Sequence, residues 1–82
     1  MDIVDPWIDE CCKLGPKEEC PMSDLYRSFH DWNRDQGTPE FRIISRKSFG
    51  RKLTAKGFRN IKLKGQRARQ GIYSNYRSDH YY

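Results

Sequence analysis

Between Ser45 and Phe58 the chain reads SRKSFGRKLTAKGF, five positive side chains and no negative one, with a helix start signal at one end and a stop signal at the other. Ser45 is suited to cap the first turn and Gly57 to take the left-handed position that closes the last, which predicts a helix over about residues 46–56. Phe49, Gly50 and Leu53 share one face and are expected to be buried, Gly50 giving up about 1 kcal/mol of helix propensity in exchange for close approach. The opposite face then carries Lys47, Ser48, Arg51, Lys52 and Ala55. Immediately after Gly57 the period changes from helical to alternating. FRNIKLKGQRARQGIY sets Ile61 and Leu63 inward and Lys62 and Lys64 outward, passes through the polar stretch GQRARQG, and returns with Ile72 and Tyr73. That pattern predicts a β-hairpin with its tip at Gly65–Gly71. A capped basic helix running directly into a basic hairpin leaves few folds open.

Two further helices precede it. In DPWIDECCKLG, Asp5 is expected as N-cap and Pro6 as the first helical residue, with Trp7, Ile8, Cys11, Cys12 and Leu14 spaced for a short amphipathic helix over about residues 6–13. GPKEECPM reads as a polar linker. Ser23 is then expected to cap a second helix, SDLYRSFHDWNRDQG, whose stripe is Leu25, Phe29 and Trp32, widened by Tyr26, and which Gly37 ends. Ile43 and Ile44 call for burial. The expected core is Leu25, Phe29, Trp32, Phe49, Leu53, Phe58 and Ile72, with Trp7 and Ile8 closing one side. The last residues, SNYRSDHYY, show no clear period and are set apart as a C-terminal tail over 74–82, either frayed or adding extra packing.

The fold class expected from this order is α+β, mostly α. Three helices followed by a β-hairpin wing is the arrangement of a winged helix-turn-helix, here over residues 1–73.

Charge sharpens the reading. The net charge is +5, but residues 1–40 hold four Lys/Arg against ten Asp/Glu, while residues 41–82 hold twelve Lys/Arg against the single Asp79. Like charges gathered on a folded segment repel one another unless a polyanion relieves them. A helix fits the major groove and a wing reaches the phosphates beside it. The residues expected to bind double-stranded DNA are therefore Arg46, Lys47, Ser48, Arg51 and Lys52 on the helix and Lys62, Lys64, Gln66, Arg67 and Arg69 on the hairpin. Lys47 and Arg51 are expected at base edges and Lys64, Arg67 and Arg69 along phosphates. Ser48 and Lys52 could belong to either set.

Other functions find little support. Cys11, Cys12 and Cys20 form no C-x-x-C pair and, with His30 or His80, no ligand spacing for zinc, so neither metal nor cofactor is expected. His30 reads as an ordinary surface histidine. No acid/base pair or nucleophile set is placed persuasively, and no Gly-rich phosphate loop is present, so the chain is not expected to be an enzyme or to take a small-molecule substrate. No apolar run approaches a membrane span, and MDIVDPW is acidic where a secretory signal would be basic, so an intracellular location without membrane contact is expected.

The sequence LYRSFHDWNRDQG, then SRKSFGRKLTAKGF, then KGQRARQGIY also resembles the C-terminal winged-helix domain of the primase-helicases of phages, satellite elements, plasmids and some large DNA viruses. The similarity runs through Leu25, Tyr26, Trp32, Ser45, Phe49, Arg51, Leu53, Gly57, Phe58, Gly71 and Ile72, with Phe29 where an aromatic is expected. It implies the DNA-recognition module of a replication initiator, with other domains or subunits of such a primase-helicase as further partners. Two alternatives stay open from the residues. One is a winged-helix module that docks proteins, and the other an RNA-binding module using Tyr76, Tyr81 and Tyr82 as stacking surfaces.

Overall fold

The helix expected after Ser45 forms as α3 (Arg46–Ala55), in a computed structural model that describes residues 3–77. The Ser45 Oγ accepts the Ser48 backbone N–H at 3.2 Å, satisfying one of the first-turn donors, and Gly57 closes the helix at φ 94°. Before it come α1 (Asp5–Cys11), β1 (Lys13–Pro21) and α2 (Met22–Asp35), with a 3₁₀ turn at Glu40–Arg42; after it come β2 (Arg59–Leu63) and β3 (Gln66–Tyr73). The three strands form one antiparallel sheet in the order β1-β3-β2. The protein is thus α+β, three helices and a three-stranded sheet among the described residues, ending in a hairpin.

Strand β1 replaces the linker expected over GPKEECPM. Prolines argue against a strand because they cannot donate to a ladder, but here the ladder avoids them. Leu14 opposes Ile72 and Glu19 opposes Gln70, so residues 15–18 bulge out opposite Gly71 alone, and Pro21 is the last residue of the strand. Pro21 also occupies the N-cap position of α2, so Ser23 is not the cap. Asp5 is not a cap either. It lies in the first turn of α1, after Val4, and pairs with Lys56 at the end of α3. Helix α1 stops at Cys11, earlier than expected, because Cys12 turns extended (φ −109°, ψ 147°) to lead into β1.

The hairpin differs from expectation in both its tip and its faces. Its turn is only Lys64 and Gly65, both at positive φ (51° and 81°), the geometry that matches the twist of two paired strands. The stretch expected as a polar tip is strand: Arg67 pairs with Lys62, Ala68 with Ile61 and Arg69 with Asn60. Partners share a face, so Lys62 and Asn60 lie with Arg67 and Arg69, and it is Arg69 that reaches α3. Ile61 and Leu63 are half-buried on the other face, with Ala68. The polar side of the hairpin, not its apolar side, faces the helix.

Phe49 joins the elements. Its ring stacks on Phe29 at 4.8 Å between centroids and takes Trp7 and Tyr26 edge-on at 5.4 and 5.5 Å. Around it Leu25, Leu53, Ile72 and Val4 are fully buried. Trp7 lies inside this cluster rather than closing one side, and Trp32 and Phe58, expected inside, are half-buried against it. The Tyr26 hydroxyl donates to the Ile44 carbonyl at 2.7 Å, which fixes the chain between α2 and α3.

A chain of hydrogen bonds crosses the interior behind Trp7. The indole Nε1 donates to Ser28 Oγ at 3.1 Å, Ser28 and Ser74 Oγ are 2.6 Å apart, and Ser74 Oγ donates to the Cys11 carbonyl at 2.9 Å. Ser28 and Ser74 are both buried. Of the two alternatives for the C-terminal segment, residues 74–77 take the second, extra packing: the Tyr76 hydroxyl bonds the Asp35 carboxylate, and Arg77 pairs with Asp24 at 3.6 Å. His80, Tyr81 and Tyr82 lie outside the described residues. Ser28→Ala should strand the Trp7 N–H without an acceptor and cost about 1–3 kcal/mol, read as a lower midpoint in urea denaturation.

Cys11, Cys12 and Cys20 are free thiols. Burial pushes Cys11 up to about 11 and, with smaller contributions from the neighbouring thiols, Cys12 up to about 12. A folded thiol with a raised pKa keeps its proton after the unfolded chain has lost it. Stability should therefore be intact below pH 9.0, the ordinary thiol value, and decline as the pH rises toward 11 to 12, measured as the urea midpoint across that window. No helix among the described residues is long and apolar enough to cross a membrane.

Candidate nucleic-acid interface

Helix α3 and the polar face of the hairpin enclose an open groove of about 690 Å³. From α3 it is lined by Arg46, Lys47 and Arg51, all exposed, with Gly50 and Thr54; from the hairpin by Asn60, Arg67 and Arg69; Met22 closes one end. None of these residues is acidic. The helix supplies cations here because Phe49 and Leu53 pin its other side into the core, and the hairpin supplies them because the register places Arg67 and Arg69 on the α3 side.

Arg69 is the strut of this groove. It is only 6% exposed, and its Nη1 donates to Thr54 Oγ1 at 2.8 Å and to the Phe58 carbonyl at 2.9 Å, while Nη2 donates to the Gly50 carbonyl at 3.1 Å. Gly50 leaves room for this approach; a Cβ there would lie 3.4 Å from Arg69 Nη2 and 3.3 Å from Met22 Cε, a tight fit that would ask both side chains to shift slightly. No carboxylate among the described residues pairs with Arg69, its Nε has no protein partner, and burial pulls its pKa below the usual arginine value. The sequence reading placed Arg69 along phosphates; the structure instead commits it to holding β3 against α3.

The other expected site residues divide by position. Arg46, Lys47, Arg51 and Arg67 come together in the groove. Lys62 lies beside Arg67 on the same hairpin face, and Lys64 is exposed at the turn. Gln66 pairs with Leu63 and so lies on the opposite face, away from the groove. Ser48 is half-buried, its Oγ accepting from Ser45 Oγ at 3.3 Å, and Lys52 is half-buried further along α3. Asn60 and Thr54 were missed. Their signal was weak in the sequence, since Asn60 joins the site only through its pairing with Arg69, and Thr54 only through its hydroxyl.

Such an arrangement can grip polyanions. Four exposed cations from two rigid elements, with no lining carboxylate to cancel them, present a focused positive field, and guanidinium groups match phosphate oxygens and guanine edges alike. Among the described residues no cluster of three His, Cys, Asp or Glu is placed to hold a metal ion. His30 is taken up by Glu40, at 2.8 Å. Comparison with family models, curated proteins and solved structures yields no match.

Proposed function

We propose that the protein is a winged helix-turn-helix that binds double-stranded DNA through α3 and the β2–β3 hairpin. The observation that carries this reading is the groove in which Arg46, Lys47, Arg51 and Arg67 converge with no acidic residue in its described lining. The element order, with the hairpin following α3, and the bonds by which Arg69 ties β3 to α3 support it, since a wing is expected beside a recognition helix. In this reading α3 lies in the major groove, with Lys47 and Arg51 toward base edges, while Arg67, Lys62 and Lys64 follow the backbone. The resemblance noted in the sequence extends the proposal: the domain would be the DNA-recognition module of a phage, plasmid or viral primase-helicase, with no catalysis of its own.

Fluorescence anisotropy on several duplexes across a salt series tests it. Arg51→Ala should cost about 1–3 kcal/mol on a preferred duplex and relax the preference. Arg67→Ala should weaken all duplexes alike and flatten the log–log salt slope by about 0.9, the contribution of one phosphate. Variants that leave both affinity and slope unchanged would remove the groove from the function. A second reading, docking of another protein, rests on Phe41, which is 85% exposed between α2 and α3 with Arg42 at 5.9 Å from its ring centroid. Under that reading Phe41→Ser abolishes partner binding and duplex affinity is negligible even at low salt.

A further inference from the structure

Arg69 is placed unlike any other cation of the site. An arginine carries five N–H donors, and in a buried position its charge is ordinarily met by a carboxylate. Here its three hydrogen bonds go to neutral acceptors only, the Nε has no partner among the described residues, and the side chain forms part of the groove wall while being nine-tenths buried. Among the described residues the positive charge thus has no counter-ion, and its field reaches out through the groove. Arg67 stands two residues along the same strand face, exposed and free to close over whatever enters. Across from it stand Arg46 and Arg51 of α3.

We infer that the groove between α3 and the hairpin is a phosphoryl-binding site, with Arg67 as the gripping side chain and Arg69 as the fixed charge beneath it. The inference deepens the duplex-binding proposal and rests on it for the source of the phosphoryl group, which is one phosphodiester of the DNA backbone; a free phosphate compound has the same chemistry and is the other source. Arg69 is a positioning residue in this scheme. It holds α3 and β3 at the spacing that admits a phosphoryl group and leaves the charge at the floor unmet until one arrives. Occupancy then compensates a buried charge, so binding stabilises the fold.

Two measurements on the full chain separate the possibilities. In thermal melts, pyrophosphate should raise Tm relative to sodium chloride at equal ionic strength, with a saturating dose dependence, and Arg67→Ala should abolish that rise. In duplex titrations, a neutral methylphosphonate moved along the backbone one linkage at a time should find a position that costs about tenfold in affinity, the size of one charge-assisted contact. Arg67→Ala should cost a similar factor on unmodified DNA and nothing more on that modified duplex, since both changes remove one contact. Arg69→Gln, checked for its fold by circular dichroism, should likewise lose the pyrophosphate effect; Arg67 is exposed, so its variant tests the site even where Arg69→Gln fails to fold. If the two losses add at every linkage and pyrophosphate has no specific effect, the phosphoryl site is overturned while duplex binding stands. If no duplex binds but pyrophosphate still stabilises the wild type and not Arg67→Ala, the duplex proposal is overturned and the site takes free phosphate compounds. Equal pyrophosphate effects in wild type and Arg67→Ala, with no sensitive linkage, overturn the site.

Discussion

Phe49→Ala should cost about 3–5 kcal/mol and lower Tm by roughly 12–40 °C. The ring is fully buried, stacks on Phe29, and meets Trp7 and Tyr26 edge-on, so its removal leaves a cavity bordered by three aromatic side chains on two other helices. Those side chains cannot collapse into the gap without dragging α1 and α2 toward α3. A domain of this size is stabilised by only about 4–12 kcal/mol in total, which makes the loss a large share of the whole. Phe41→Ala provides the contrast. The two residues are the same amino acid eight positions apart, but Phe41 is 85% exposed and its truncation should move stability by no more than about 0.5 kcal/mol. Urea and thermal unfolding of both variants, followed by circular dichroism, checks the pair. Similar losses for the two would mean that α3 presents a different face to the core, and hence a different face to solvent.

What the sequence made legible was local. The Ser45 cap, the Gly57 stop and the Phe49–Leu53 stripe are all decided within one helix, and each forms as expected. The features that were illegible are set by partners far along the chain. Strand β1 was hidden because its Gly15-Pro16 punctuation reads as a linker, and only pairing with β3 shows that those residues bulge out of the ladder. The hairpin tip was misplaced because GQRARQG is bounded by glycines and mostly polar, the pattern of a loop. Its two arginines instead belong to a strand face turned toward α3, with buried Ala68 between them on the other face. Arg69 belongs to the same class of error: four residues after Gly65 it reads as another basic wing residue, and only its bonds to Thr54, Phe58 and Gly50 show it to be an internal strut. Gathering Arg46, Lys47, Arg51 and Arg67 was legible in kind, because charge segregation along the chain is visible in the residues themselves.

Replacing Arg46, Lys47, Arg51 and Arg67 together by alanine should weaken duplex binding by at least about a hundredfold at low salt. All four side chains are exposed, so the fold should be retained, and alanine in α3 favours helix. The size of the effect follows from where the charges sit. They line one groove, no carboxylate in its described lining offsets them, and each phosphate they neutralise releases counter-ions from the duplex. Arg69 remains in this variant and keeps α3 and β3 together, so a lost affinity cannot be ascribed to a lost wing.

The most direct test of the account is a duplex-DNA anisotropy titration of the wild type and of this fourfold variant, each at several salt concentrations. The account predicts tight binding by the wild type at low salt, a steep loss as salt rises, and a log–log slope in the variant shallower by at least about 0.9, the phosphate contact of Arg67, with the rest of the lost affinity coming from the groove contacts of the helix. Equal affinities and equal slopes for the two proteins, or a wild type that fails to bind duplex DNA at low salt, would contradict it.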